Sequence, residues 1–269
     1  MTQTDSLPGL DLLNAEDRAK ARKKHVHIYA NGAICETDAL GYATPENMSA
    51  EELVLHAPNG AISLWAENTT LRWRFNEASM LAFSDPDAAK AAIRQLMADA
   101  LLSWGDAVPV KFSEQNEFWD FELVVRAVPD CDANGCVLAR AFFPDAGRHE
   151  LILFPTLFGQ SRQEMVETMA HEFGHVFGLR HFFAQISEAG LASEIFGTHD
   201  SVSIMNYGPD SRLTDADRRD LKALYAGVWS GALTHINGTP VRTVTPFSHA
   251  FVPQPSQLAT LLAGGLRAG

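Results

Sequence analysis

Apolar positions between residues 61 and 228 recur with two different periods, and the switches between them outline a series of elements. TLRWRF at 70–75 alternates apolar and polar residues like a half-buried strand. Ile93, Leu96, Met97, Ala100, Leu101 and Trp104 then recur at helical spacing, predicting a helix over 85–104 with Ser84 as N-cap and Pro86 in its first turn. Four strand-like runs follow: KFSEQ near 111, FELVVRAV at 121–128, CVLARAFF at 136–143 and ELILF at 150–154. Ser161 and Glu164 form a capping-box signature at the head of a second long helix, SRQEMVETMAHEFGHVFGL. Thr214 opens a last helix over DADRRDLKALY, with acids in its first turn and bases after them. This order of strands and helices predicts the α+β class.

The flanks read differently. Residues 1–60 hold a charged, helix-forming stretch, AEDRAKARKKH, then VHIYANGAICETD and the linker-like ALGYATPENMS. They are expected to form an N-terminal extension or a pro-segment. Residues 229–269 are rich in Gly, Thr, Pro and Ala and too short for another stable domain, so a C-terminal tail packed along the central domain at 61–228 is expected.

The second long helix carries the chemistry. Residues 171–181 read HEFGHVFGLRH. His171 and His175 are four apart, which places both imidazoles on one helix face, a turn apart, where they can share one ion. Glu172 follows the first of them, where a carboxylate reaches a water on the ion's open position and serves as its general base. Gly178 can take the left-handed conformation that ends a helix, letting the chain turn so that His181 faces the same ion. One catalytic Zn2+ with three protein ligands and an exchangeable water is the expected centre.

This pattern, HExxHxxGxxH followed by a methionine, resembles the metzincin zinc endopeptidases. DSVSIMNYG at 200–208 supplies Met205, and the resemblance implies that Met205 forms the Met-turn floor beneath the histidines. Tyr207 matches a tyrosine that astacin-like and serralysin-like members place beside the zinc, which implies a ligand or an oxyanion donor; a wall of the substrate pocket is the competing role. The element order over roughly 61–228 is similar to matrixin catalytic domains, implying a twisted mixed sheet of about five strands, a long backing helix, a zinc helix and a C-terminal helix. The resemblance also implies that CVLARAFF lies at the sheet edge along the cleft, where an extended peptide adds as a further strand. A protein or peptide substrate, internal cleavage, a monomer and an extracellular setting follow as expectations. The rival readings are a zinc-fold module that binds a protein without cutting it and a zinc hydrolase of small non-peptide substrates; Glu172 argues against the first.

Departures from the family accompany these matches. Matrixins carry a second, structural zinc, but Arg140 stands where one of its histidine ligands would be. Asp130, Asp132, Asn134 and Gly135 resemble half of a calcium loop, yet Ala141 replaces the acid that closes an EF-hand, leaving a looser Ca2+ site or a tight polar turn. FFAQ after His181 lacks the astacin glutamate. Cys35 is the candidate for a cysteine switch over the zinc, although its surroundings do not match the matrixin pro-segment pattern.

Composition narrows the setting only a little. The 269 residues are 46% hydrophobic, without a run long enough for a membrane span, and carry a formal net charge of -12, which disfavours nucleic acid as a partner. The opening MTQTDSLPGL lacks a charged n-region followed by an apolar core, so no secretory signal peptide is expected from it. Cys131 and Cys136 bracket a short turn and either close a small disulfide loop or remain two thiols.

Overall fold

The computed structural model describes residues 27–28, 34–35, 53–57, 60–132, 135–181, 193–197, 203–205 and 211–251. In chain order the strands are β1 (His27–Ile28), β2 (Ile34–Cys35), β3 (Leu53–His56), β4 (Ile62–Trp65), β5 (Thr70–Phe75), β6 (Lys111–Glu114) and β7 (Phe121–Val125). They continue with β8 (Cys131–Asp132), β9 (Gly135–Cys136), β10 (Ala139–Arg140), β11 (His149–Leu153), β12 (Leu179–Arg180), β13 (Ser193–Phe196), β14 (His235–Ile236) and β15 (Thr239–Val244). The helices are α1 (Glu77–Met80), α2 (Pro86–Trp104), α3 (Arg162–Val176) and α4 (Asp215–Trp229).

The central layer is a five-stranded mixed sheet in the order β10-β11-β7-β5-β6. β6, β5, β7 and β11 run parallel, and β10 closes one edge antiparallel to β11. This is the α+β architecture expected from the element order. The predicted alternation of TLRWRF appears as burial of Leu71, Trp73 and Phe75, which point into the core while Thr70, Arg72 and Arg74 are half-buried. α2 and α3 pack against each other. Ile93, Leu96, Met97, Ala100 and Trp104 of α2 meet Met165, Met169, Phe173 and Phe177 from the α3 segment in one continuous core.

Local sequence explains most element ends. Pro86 occupies the first turn of α2, so the residue before it caps: Asp85, not Ser84, accepts from the Ala88 amide. α3 opens with the predicted Ser161/Glu164 capping box, and α4 opens with another formed by Thr214 and Asp217. The run CVLARAFF is not one strand. Cys136 is committed to a hairpin, paired to Cys131 both by backbone register and by a disulfide, so edge pairing begins only at Ala139. The run FELVVRAV likewise stops as a strand at Val125.

The flanking segments join the same body. β3 is the middle strand of a three-stranded sheet, β12-β3-β13, and Leu55 and Ala57 are buried in the main core. β15 pairs in parallel with β4, Trp229 donates its indole N–H to the Trp65 carbonyl, and Ser248 donates to both carboxylate oxygens of the buried Asp120. Among the described residues no helix is long and apolar enough to cross a membrane.

Candidate metal centre

α3 is anchored at both ends before it presents any chemistry. Its N-terminus is closed by Ser161 Oγ accepting from the Glu164 amide at 3.3 Å and Glu164 Oε2 accepting from the Ser161 amide at 3.0 Å. Near its C-terminus the Trp104 indole donates to the Ala170 carbonyl at 2.9 Å and the Trp65 indole to the Val176 carbonyl at 2.7 Å. The Tyr225 hydroxyl donates to the Phe177 carbonyl at 3.0 Å. Burial pushes its phenol pKa far up, against a backbone bond from Trp65, so it stays a neutral donor. The bonds to Val176 and Phe177 satisfy helix-end carbonyls that lie buried past the last turn, and the bond to Ala170 ties the helix side to α2.

Gly178 sits at φ +96 directly after the helix, as its place in the motif predicts. A Cβ there would also lie 2.9 Å from Leu64 Cδ2, so both the backbone turn and the close packing of β4 require glycine. The turn feeds β12 and delivers His181 back to the face of α3 that carries His171 and His175. All three histidines are fully buried.

Their nitrogens converge. His171 Nε2 lies 3.0 Å from His181 Nε2 and 3.1 Å from His175 Nε2. His171 Nδ1 faces the Ile204 carbonyl at 2.7 Å, and His175 Nδ1 faces the Leu179 carbonyl at 2.8 Å. A carbonyl only accepts, so each Nδ1 carries the ring proton and each Nε2 is left as a bare lone pair. Lone pairs aimed at one another at this range repel unless a cation lies among them. The donor set therefore fits a metal ion, and three converging imidazoles, two of them of fixed tautomer, are zinc chemistry. Among the described residues this is the one group of His, Cys, Asp or Glu side chains with metal-site spacing.

Met205 packs against α3 at Gly174. A Cβ on Gly174, between the two helix histidines, would stand 2.5 Å from Met205 Sδ, so the methionine packs directly on the helix backbone. Its segment is pinned by α4. Ser203 Oγ donates to Asp217 Oδ1 at 2.5 Å, and the Ile204 amide to Asp217 Oδ2 at 3.3 Å. The Thr214 amide and hydroxyl donate to the same carboxylate at 2.8 and 2.9 Å. Burial pushes the Asp217 carboxyl above its ordinary range, against these hydrogen bonds, which pull it down. Asp217 is thus two bonds removed from a metal ligand, through Ile204 to His171. Sequence reasoning placed it in an acidic first turn and missed this role; the T-x-x-D spacing after the Met-turn was the available signal.

Glu172 is fully buried on α3 beside His171, as the motif requires. Tyr207 falls outside the described residues, and Cys35 lies in β2, of which the backbone alone is described. β10 is an outer strand of the sheet and lies against α3, where the sequence expects a substrate-binding edge. The Phe143 ring stands 5.5 Å edge-on from His175 just beyond it.

Arg140 offers no ligand for a second zinc. Arg140 donates to Asp130 at 2.8 Å and its guanidinium stands 5.2 Å over the Phe154 ring, so an ion pair occupies the place of a metal ligand and uses the loop's first acid. The Asp132 side chain and residues 133–134 lie outside the described residues.

Comparison with known proteins agrees with this geometry. Human stromelysin-3 is 36% identical over 101 residues, covering 33% of this chain and 20% of that protein. The Rattus norvegicus stromelysin-3 is 27% identical over 170 residues, covering 57% and 31%. The chain therefore spans a third or less of the length of these curated relatives. A solved structure, that of myroilysin, aligns with a TM-score of 0.42 at 12% identity, covering 64% of this chain and 98% of the other. The matrixin family model matches residues 64–226, from β4 through α4 and across every residue of the histidine centre, and the chain belongs to the matrixin family of zinc metalloendopeptidases.

Proposed function

We propose that this chain hydrolyses internal peptide bonds of extended polypeptides with zinc held by His171, His175 and His181. The observation that carries the reading is the convergence of imidazole nitrogens whose outer nitrogens are committed to the Ile204 and Leu179 carbonyls. Zinc, when bound, supplies the Lewis acidity that brings a water's pKa toward about 7 and polarises a carbonyl. Glu172 takes the proton of the attacking water and hands it to the leaving amine. Its place beside His171, out of bulk water, suits this role. Tyr207 donates to the oxyanion that forms as the carbonyl is attacked. The substrate adds as a strand to β10, which supports an extended polypeptide over a compact small molecule. An extracellular site of action belongs to this reading, supported by the Cys131–Cys136 disulfide.

The test is digestion of a denatured protein or a mixed peptide library by the purified chain, with chelator, with zinc add-back, and beside Glu172→Ala. Internal cleavage that chelator stops, zinc restores and the variant lacks is the expected result. Stoichiometric zinc without cleavage would replace this reading with a zinc-fold module that binds a protein partner.

A further inference from the structure

Two of the carbonyl contacts above depend on elements of very different kind, and the one at Leu179 leads outside the family-matched region. The Leu179 carbonyl fixes the ring of His175, and the same two-residue strand, β12, ends beside His181. A strand this short has no direction of its own. It is held by β3, which pairs antiparallel with it in the register Leu179↔Leu55 and Arg180↔Val54. On its other side β3 pairs antiparallel with β13, from Ser193↔His56 to Phe196↔Leu53. β3 therefore grips the chain both before and after the stretch that follows His181. Leu55 is 0% exposed, as is Leu179, and both belong to the main core.

We propose that residues 53–57 are a permanent positioning element of the metal centre, so any N-terminal processing that leaves a metal-competent protein cuts before Leu53. The element orients His175 through the Leu179 carbonyl and sets where β12 releases His181. Only its activity readout rests on the endopeptidase reading. A segment that detached during activation would take with it the partner of β12 and free the acceptor that fixes one metal-ligand tautomer.

Two measurements on the full chain test this. The first compares Leu55→Ala with Leu71→Ala, a deletion of equal size at another fully buried leucine, in β5. At a temperature well below both melting points, a chelator should strip zinc from Leu55→Ala about tenfold faster than from Leu71→Ala, the usual scale for disturbing a ligand's outer partner, and Leu55→Ile should recover most of the loss. Equal release rates from the two alanine variants would overturn the proposal. If Leu55→Ala does not fold, Leu55→Val against Leu71→Val gives the same comparison with a smaller cavity. The second is limited elastase digestion of the zinc-loaded chain, with the mass and zinc content of each product. Every product that keeps zinc should begin at or before Leu53, and a zinc-retaining product that has lost residues 53–57 would overturn the proposal. Faster zinc loss from Leu55→Ala in a protein that cleaves no peptide would sink the endopeptidase reading and leave this inference standing.

Discussion

The supports behind His171 and His175 do the same job with opposite materials. His171 leans on the Ile204 carbonyl, held from the C-terminal side by the buried Asp217 carboxylate and its bonds to Ser203, Thr214 and Ile204. His175 leans on the Leu179 carbonyl, held from the N-terminal side by strand pairing and buried leucines. The first support is polar, directional and sensitive to protonation. The second is built from strand pairing and a pair of fully buried leucines. A metal centre backed in both ways keeps one of its ring orientations when conditions weaken the other.

The largest expected effect separates chemistry from both supports. Glu172→Ala should lower kcat by about a thousandfold while zinc stoichiometry, read by atomic emission, stays at that of the parent. Loss of zinc with this change would make Glu172 part of the support. Asp217→Ala attacks the polar support alone, stranding buried donors on Ser203, Thr214 and Ile204. It should cost about 3 kcal/mol in chemical denaturation and speed zinc release. Gly174→Ala presses on the polar support from the helix side, since its Cβ meets Met205 Sδ, and a cost of about 2 kcal/mol is expected.

A pH series sharpens the contrast further. Burial raises the folded-state pKa of Asp217, so its contribution is fully present below the unfolded value of about 4 and is lost as pH rises through the folded value. The parent should therefore lose stability relative to Asp217→Asn as pH climbs above about 4, whereas Leu55→Val should track the parent at every pH. The smallest effect is expected far from both supports: Asp130→Ala breaks a half-exposed pair with Arg140 and should cost less than about 1 kcal/mol by thermal unfolding.

The ligands were readable from the chain because their geometry is local. His171, Glu172 and His175 share one helix, and Gly178 announces the turn that brings His181. The supports were not readable, because both acceptors are backbone carbonyls, which every residue possesses. β3 was missed for a related reason: LVLH is four residues long, and its partners lie far along the chain. The C-terminal hairpin was missed despite a usable signal. Asn237 and Gly238 both adopt positive φ between Ile236 and Thr239, the two-residue turn that an Asn-Gly pair favours. The break in CVLARAFF was hidden because the hairpin that interrupts it depends on Cys131 finding Cys136.

The ion pair of Arg140 with Asp130 has a further consequence for how this molecule meets scarcity. The edge strand is tied to the hairpin before it by an organic cross-link, and the hairpin itself is closed by a disulfide, so this corner of the sheet is joined without a metal ion. At this corner of the sheet the connection draws on no ion supply, and the demand for zinc falls on the three histidines.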